Sequence, residues 1–136
     1  MNFIENRLFD EINIGDSATL ERTLTEQDIT LFAVMSGDIN PAHVDPEYAK
    51  SSRFREVIGH GMWTAALIST VLGTEFPGPG TIYLGQSLRF RRPVKVGDTI
   101  AIKVSAKEKD AQKGRVLLDT ECLNQDGEVV VSALPT

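Results

Sequence analysis

The chain has a single cysteine, Cys122, in 136 residues. An internal disulfide is excluded, and the thiol is expected to pack as a small hydrophobe in a reduced, cytoplasmic protein. Histidine is almost as scarce, with only His43 and His60 present. Two histidines among scattered acids give no recognised metal-ligand spacing, so no metal is expected. Positive charge is outnumbered, with 14 Lys and Arg against 19 Asp and Glu and a net charge of −5. A nucleic-acid binder needs a basic face to offset phosphate charge, so that class is set aside. No basic-then-apolar leader opens the sequence. The longest apolar stretch, around Met62–Leu72, is too short and too interrupted to cross a bilayer, and no membrane association is expected. Internal repeats and low-complexity tracts are absent as well.

What is present is ordinary for a globular protein: 41% hydrophobic and 24% charged residues. The length suits one domain spanning residues 1–136, standing alone or as one part of a longer polypeptide. Partial alternation predicts a strand over Ser17–Leu24. Thr25, with Asp28 three residues on, reads as a capping box opening a helix over Thr25–Ser36, which Gly37 closes. Asp45-Pro46 starts a second, short helix. Residues His60–Leu72 predict a helix with almost no polar face, so protein should enclose it on every side, with Gly73 as its end. The last third reads as strands over Ile82–Phe90, Thr99–Lys107, Arg115–Leu123 and Glu128–Leu134, separated by turn signals such as Asp126-Gly127. The expected class is α+β, with an antiparallel sheet curved around the buried helix.

Between the first two helices lies Ser36-Gly-Asp-Ile-Asn-Pro-Ala-His-Val-Asp-Pro46, read as neither regular helix nor strand. A turning backbone can bring Asp38, Asn40 and His43 to a common point, which a straight helix would not do for residues five apart. An imidazole, with an ordinary pKa of about 6.5, beside a carboxylate is the composition of an acid/base pair. The other reading makes Asp38, Asn40 and Asp45 turn and cap residues and His43 a partly buried loop residue.

The pattern from Phe32 to Ala49 resembles the signature of the MaoC-like, (R)-specific enoyl-CoA hydratases, also called the hydratase 2 family. The resemblance rests on Phe32, Ser36, Gly37, Asp38, Asn40, Pro41 and His43, with Ala49 as the closing small residue. Met35 stands where Leu or Val is usual, and Ala42 replaces a branched aliphatic; both remain apolar. Ile58-Gly-His-Gly-Met62, Tyr83–Phe90 and Pro93–Asp98 extend the similarity over most of the chain. It implies the hot-dog fold, in which a sheet wraps one long helix. It also implies reversible addition of water to a trans-2-enoyl thioester, giving the (R)-3-hydroxyacyl product and running equally as a dehydratase. No cofactor is implied, because coenzyme A, or an acyl carrier protein in its place, is part of the substrate. Homodimers or higher homo-oligomers are implied as well.

On that resemblance, Asp38 and His43 hold one water and handle both protons. An aspartate carrying protons needs its pKa raised from about 3.9, most simply by burial. Asn40 either positions the pair or is only a turn residue before proline. Gly61, at the helix start, is the candidate backbone donor to the enolate oxygen, where unsatisfied N–H groups and the helix dipole favour an anion. Its alternative role is to permit tight packing. His60 reads either as a second catalytic histidine or, preferred, as a structural residue at the helix start. Ser69 either supports the pair or back-bonds to Ala65. Ala65 and Leu72 are candidates for the acyl pocket, with plain core packing the favoured reading for each alone. Arg89, Arg91, Arg92 and Lys95 are candidates for the CoA phosphates, or else form a solvated strand end. Two other functions compete: a hot-dog acyl-CoA thioesterase, which would lack the Gly-Asp-x-Asn-Pro-x-His loop, and a non-catalytic acyl-binding or assembly module.

Overall fold

The computed structural model describes residues 8–51 and 56–134, so the Pro135-Thr136 end lies outside the described residues. Five strands form one antiparallel sheet: β1 (Ser17–Thr23), β2 (Ser87–Phe90), β3 (Thr99–Asp110), β4 (Arg115–Leu123) and β5 (Val129–Leu134), ordered β1-β3-β4-β5-β2. The central strand β3 shows why the sheet has one wet and one dry face. Ile100, Ile102, Val104 and Ala106 are buried, whereas Lys103 and Lys107, which alternate with them, are exposed, as a period of two requires.

Helix α4 (Gly61–Thr70) lies on the dry face. Trp63, Leu67 and Ile68 join Ile100, Ile102, Val104, Val131 and Ala133 in one hydrophobic core. A sheet wrapped on one long helix is the hot-dog fold, as the resemblance implied. The enclosure of α4 on every side is not found. Met62, Ala66, Ser69 and Thr70 form an exposed face of the helix. The physical reason is that one sheet can cover only one side of a cylinder. Nor does Gly73 end the helix. It runs on through a wider turn over Val71–Glu75, closed by the Phe76 N–H donating to the Val71 carbonyl at 2.8 Å.

The strand expected over Ile82–Phe90 pairs only from Ser87. Residues 81–86 form no ladder with β5, and Ile82 and Leu84 stand exposed. The remaining elements follow the local signals. Helix α1 (Glu26–Ser36) has the capping box, with Thr25 and Asp28 each accepting from the other's backbone N–H, and Gly37 adopts φ 78° at its end. Helix α3 (Pro46–Ser51) opens with the Asp45 carboxylate accepting from the N–H groups of Glu47 and Tyr48. The segment between them is more regular than expected. Pro41–Val44 forms one helical turn, α2, because Asn40 caps it through its side chain, at 3.0 Å from the Ala42 N–H, and Pro41 brings a helical φ.

Candidate active site

The end of α1, the turn α2 and the segment leading into α4 meet at one corner. Ser36 begins the construction: its hydroxyl donates to the Phe32 carbonyl at 2.6 Å and accepts from the Asp38 N–H at 3.1 Å. The Asp38 carboxylate accepts from the Asn40 N–H at 3.2 Å, and the Asn40 carbonyl accepts from the His43 N–H at 2.9 Å. Each turn residue thus positions the next, and the loop presents Asp38 and His43 towards the same point. Asn40 is a cap here, and its hydrogen bonds link both candidates through backbone.

The segment Val57–His60 is held from both sides. Ile58 N–H donates to Ala42 O at 3.2 Å, and Gly59 N–H donates to Val94 O at 2.7 Å. Gly59 has no room for a side chain: a Cβ there would lie 2.6 Å from a Leu24 methyl carbon. This close approach sets the height of His60 against α2. The Ile58 carbonyl lies 2.8 Å from His43 Nδ1. A carbonyl can only accept, so the hydrogen sits on Nδ1, and the neutral ring keeps its lone pair on Nε2. Likewise His60 Nε2 donates to the Asp38 carbonyl at 2.9 Å. The two imidazoles lie in a tilted stack with centroids 4.2 Å apart, and the Phe32 ring lies on His60 at 4.8 Å.

One carboxylate oxygen of Asp38 and one ring nitrogen each from His43 and His60 all lie within 4.8 Å of one another. Three donors so close could invite a metal ion. However, stacked rings direct their in-plane lone pairs side by side, a poor arrangement for two nitrogens to meet at one ion. A carboxylate and an imidazole this close have the composition of an acid/base pair. The burial expected for Asp38 is not found; it is exposed, while His43 is half-buried.

Gly61 is the first residue of α4, and a helix leaves its first amides without internal acceptors. It is exposed, but a Cβ would lie 2.9 Å from two carbons of the Phe90 ring. Tight packing is therefore a fact of this position, alongside any role for its amide. Ser69 is on the exposed helix face and does not back-bond to Ala65, unlike Thr70, which donates to Ala66 O. Leu72 lines a cavity of about 550 Å³ at the far end of α4, together with Phe9, Ile12, Ile82, Leu84 and Leu118. Ala65 is buried but is not part of that lining.

The basic cluster is mostly engaged. Arg92 pairs with Glu128 at 3.0 Å and Lys95 with Glu56 at 2.7 Å, while Arg91 donates to the Ser132 hydroxyl. The Glu56 carboxylate holds the Lys95 ammonium above the ordinary lysine range. Arg89 sits on the exposed side of β2 opposite Ser132 and, among the described residues, has no such partner. The sequence reading missed three features: the Ile58 carbonyl, the Phe90 ring against Gly61, and His60 as a bridge. A backbone carbonyl has no side-chain signature, and contacts between distant segments have no local one.

The model of the MaoC like domain matches residues 12–124, which include the whole corner and every strand but β5. The chain belongs to the MaoC-like domain family. An (R)-specific enoyl-CoA hydratase of Rhodospirillum rubrum is 45% identical over 128 residues, covering 94% of this chain and 88% of that protein. A 3-hydroxybutyryl-CoA dehydratase of Methylorubrum extorquens is 38% identical over 128 residues, covering 90% and 82%. Among solved structures, the unliganded R-hydratase PhaJ1 from Pseudomonas aeruginosa superimposes with a TM-score of 0.90 at 45% identity, covering 96% of this chain and 83% of that one. This MaoC-like chain is an enzyme of the hydratase and dehydratase kind, a carbon–oxygen lyase.

Proposed function

We propose that the chain hydrates trans-2-enoyl-CoA reversibly to the (R)-3-hydroxyacyl thioester, with Asp38 and His43 holding the reacting water. The observation that carries this reading is the orientation of His43. Its Nδ1–H is committed to the Ile58 carbonyl at 2.8 Å, which leaves the Nε2 lone pair free to act as a base, in a ring that lies beside the Asp38 carboxylate. The water gives a proton to His43 Nε2 as its oxygen bonds to C3 of the enoyl group. The C2–C3 π electrons move into the thioester, forming an enolate oxygen. The Gly61 N–H, at the positive end of α4, donates to that oxygen. The carbonyl then re-forms as the pair returns a proton to C2. The reverse sequence eliminates water.

The cavity beside Leu72, lined by apolar and polar side chains, takes the distal part of the acyl chain in this reading. From Gly61 to Leu72 the helix rises about 16 Å, so the thioester and the tail are recognised at opposite ends of α4. Arg89, with the half-engaged Arg91, is the remaining candidate for the CoA phosphates. We also propose a homodimer that covers the exposed face of α4. Met62, Phe90 and Leu84 are all more than half exposed, and large apolar side chains left in water favour a partner. A second subunit there would supply the burial that Asp38 lacks.

The direct test follows the loss of enoyl absorbance when purified protein meets crotonyl-CoA, with a chiral assay of the product. Hydration to the (R) alcohol is expected. The (S) product, or thioester cleavage instead of hydration, would refute the assignment. Sedimentation of the wild type and of Met62→Glu tests the dimer.

A further inference from the structure

We propose that His60 is a positioning residue for the Asp38–His43 pair, holding Asp38 through its Nε2–H and His43 through the face of its ring. This rests on the reading of that pair as the reaction centre. His60 is only 3% exposed and stands immediately before α4 without capping it through its side chain. A buried polar side chain that caps nothing needs another reason to be polar. Its Nε2 is 2.9 Å from the Asp38 carbonyl, which fixes the hydrogen on that nitrogen. Among the described residues, His60 Nδ1 is buried with no hydrogen-bond partner, and so is the Thr64 hydroxyl one helical turn on. The ring packs against both Phe32, with centroids 4.8 Å apart, and His43, at 4.2 Å.

These contacts give one side chain a hold on both members of the pair. The hydrogen bond anchors the backbone of the residue carrying the carboxylate. The stack blocks rotation of His43 away from the Ile58 carbonyl, and so keeps its ring in place beside Asp38. Because His60 is adjacent in sequence to Gly61, the same residue sets the distance from the pair to the amide proposed to receive the enolate. A phenylalanine would reproduce the stack without the hydrogen bond. A glutamine, whose amide nitrogen reaches about as far as Nε2, would reproduce the hydrogen bond without the ring.

The test compares full-length wild type, His60→Phe and His60→Gln, with Asp38→Asn and His43→Ala as controls, in crotonyl-CoA hydration and in ring ¹⁵N NMR. In each His60 variant, kcat is expected to fall about tenfold or more with KM changed less than about twofold, the pattern of misplaced reacting groups rather than lost binding. In the wild type the ring hydrogen should be on Nε2 of His60 and Nδ1 of His43, and His60→Gln should lose the Nδ1–H signature of His43. Wild-type kcat in either His60 variant, or the opposite tautomer at His60, would overturn the proposal. Should both variants fail to fold, the wild-type tautomers decide it. Full activity in Asp38→Asn or His43→Ala would instead overturn the assignment of the pair.

Discussion

The two ends of α4 are built by opposite means. At the start, short hydrogen bonds run from Ser36 through Asp38 and Asn40 to His43, and two carbonyls orient two imidazoles. Even the space beside Gly61 is taken up by the Phe90 ring. At the far end the helix loosens into a wider turn, and the loop after it makes no ladder before Ser87. There the chain leaves a cavity of about 550 Å³. The difference follows from the chemistry proposed. Proton transfer tolerates little displacement of its donors and acceptors, so it calls for directional bonds. An acyl tail is recognised by volume and apolar area, which loops and side chains can supply without directional bonds.

The contrast breaks most visibly at the tight end. Asp38→Asn and His43→Ala should each lower crotonyl-CoA hydration by a factor of about 10² or more, because each removes a positioned proton carrier. Their circular dichroism and melting should remain near wild type, since Asp38 is exposed and His43 is only half-buried. Near-normal turnover in either folded variant would remove the pair from the mechanism.

Gly61→Val should also cost a factor of about 10², the range seen when an oxyanion donor is lost. Here the Phe90 ring complicates the result, because any Cβ at this position meets it. Gly61→Ala combined with Phe90→Leu separates the two causes. If packing alone matters, the double variant recovers full activity. If close approach of the thioester to the amide matters, it stays impaired.

At the loose end the effect should be on selectivity. Leu72→Ala enlarges the cavity and should shift the kcat/KM ratio between a longer enoyl-CoA and crotonyl-CoA by roughly tenfold towards the longer chain, within the range for a methylene or two. Hydration of crotonyl-CoA itself should change little. An unchanged ratio would show that the tail does not reach this cavity.

The smallest effect concerns the sheet between the two ends. Burial pushes the Cys122 thiol up to about 12 from its ordinary 9.0. The folded protein should therefore resist a disulfide reagent near pH 8 and react fully once unfolded. The sign for stability follows from proton binding: above pH 9 the unfolded chain loses a proton that the folded chain keeps, so this thiol lowers stability as pH rises from about 9 to 12. Cys122→Val should flatten that part of the pH–stability curve.

Much of this molecule is decided by adjacent residues. The capping box at Thr25, the left-handed Gly37, the Asp45 cap and the alternation of β3 depend on contacts only a few positions apart, and each is found where its residues predict it. The candidates Asp38 and His43 were legible for the same reason: the glycine, asparagine and proline that bring them together sit between or beside them. The failures share a different cause. Whether α4 is covered depends on how many layers pack on it, and an all-apolar helix cannot say whether its second cover comes from its own chain. Where β2 begins depends on which residues of β5 remain to be paired. The orientation of His43 depends on a carbonyl 15 positions away. His60 could be read as a helix-start residue, but its hold on Asp38 spans 22 positions. Short-range geometry is written into residue types because backbone sterics and capping bonds act locally. Tautomers, stacks and close glycine contacts arise only when the folded sheet and helix bring separate segments within hydrogen-bond range.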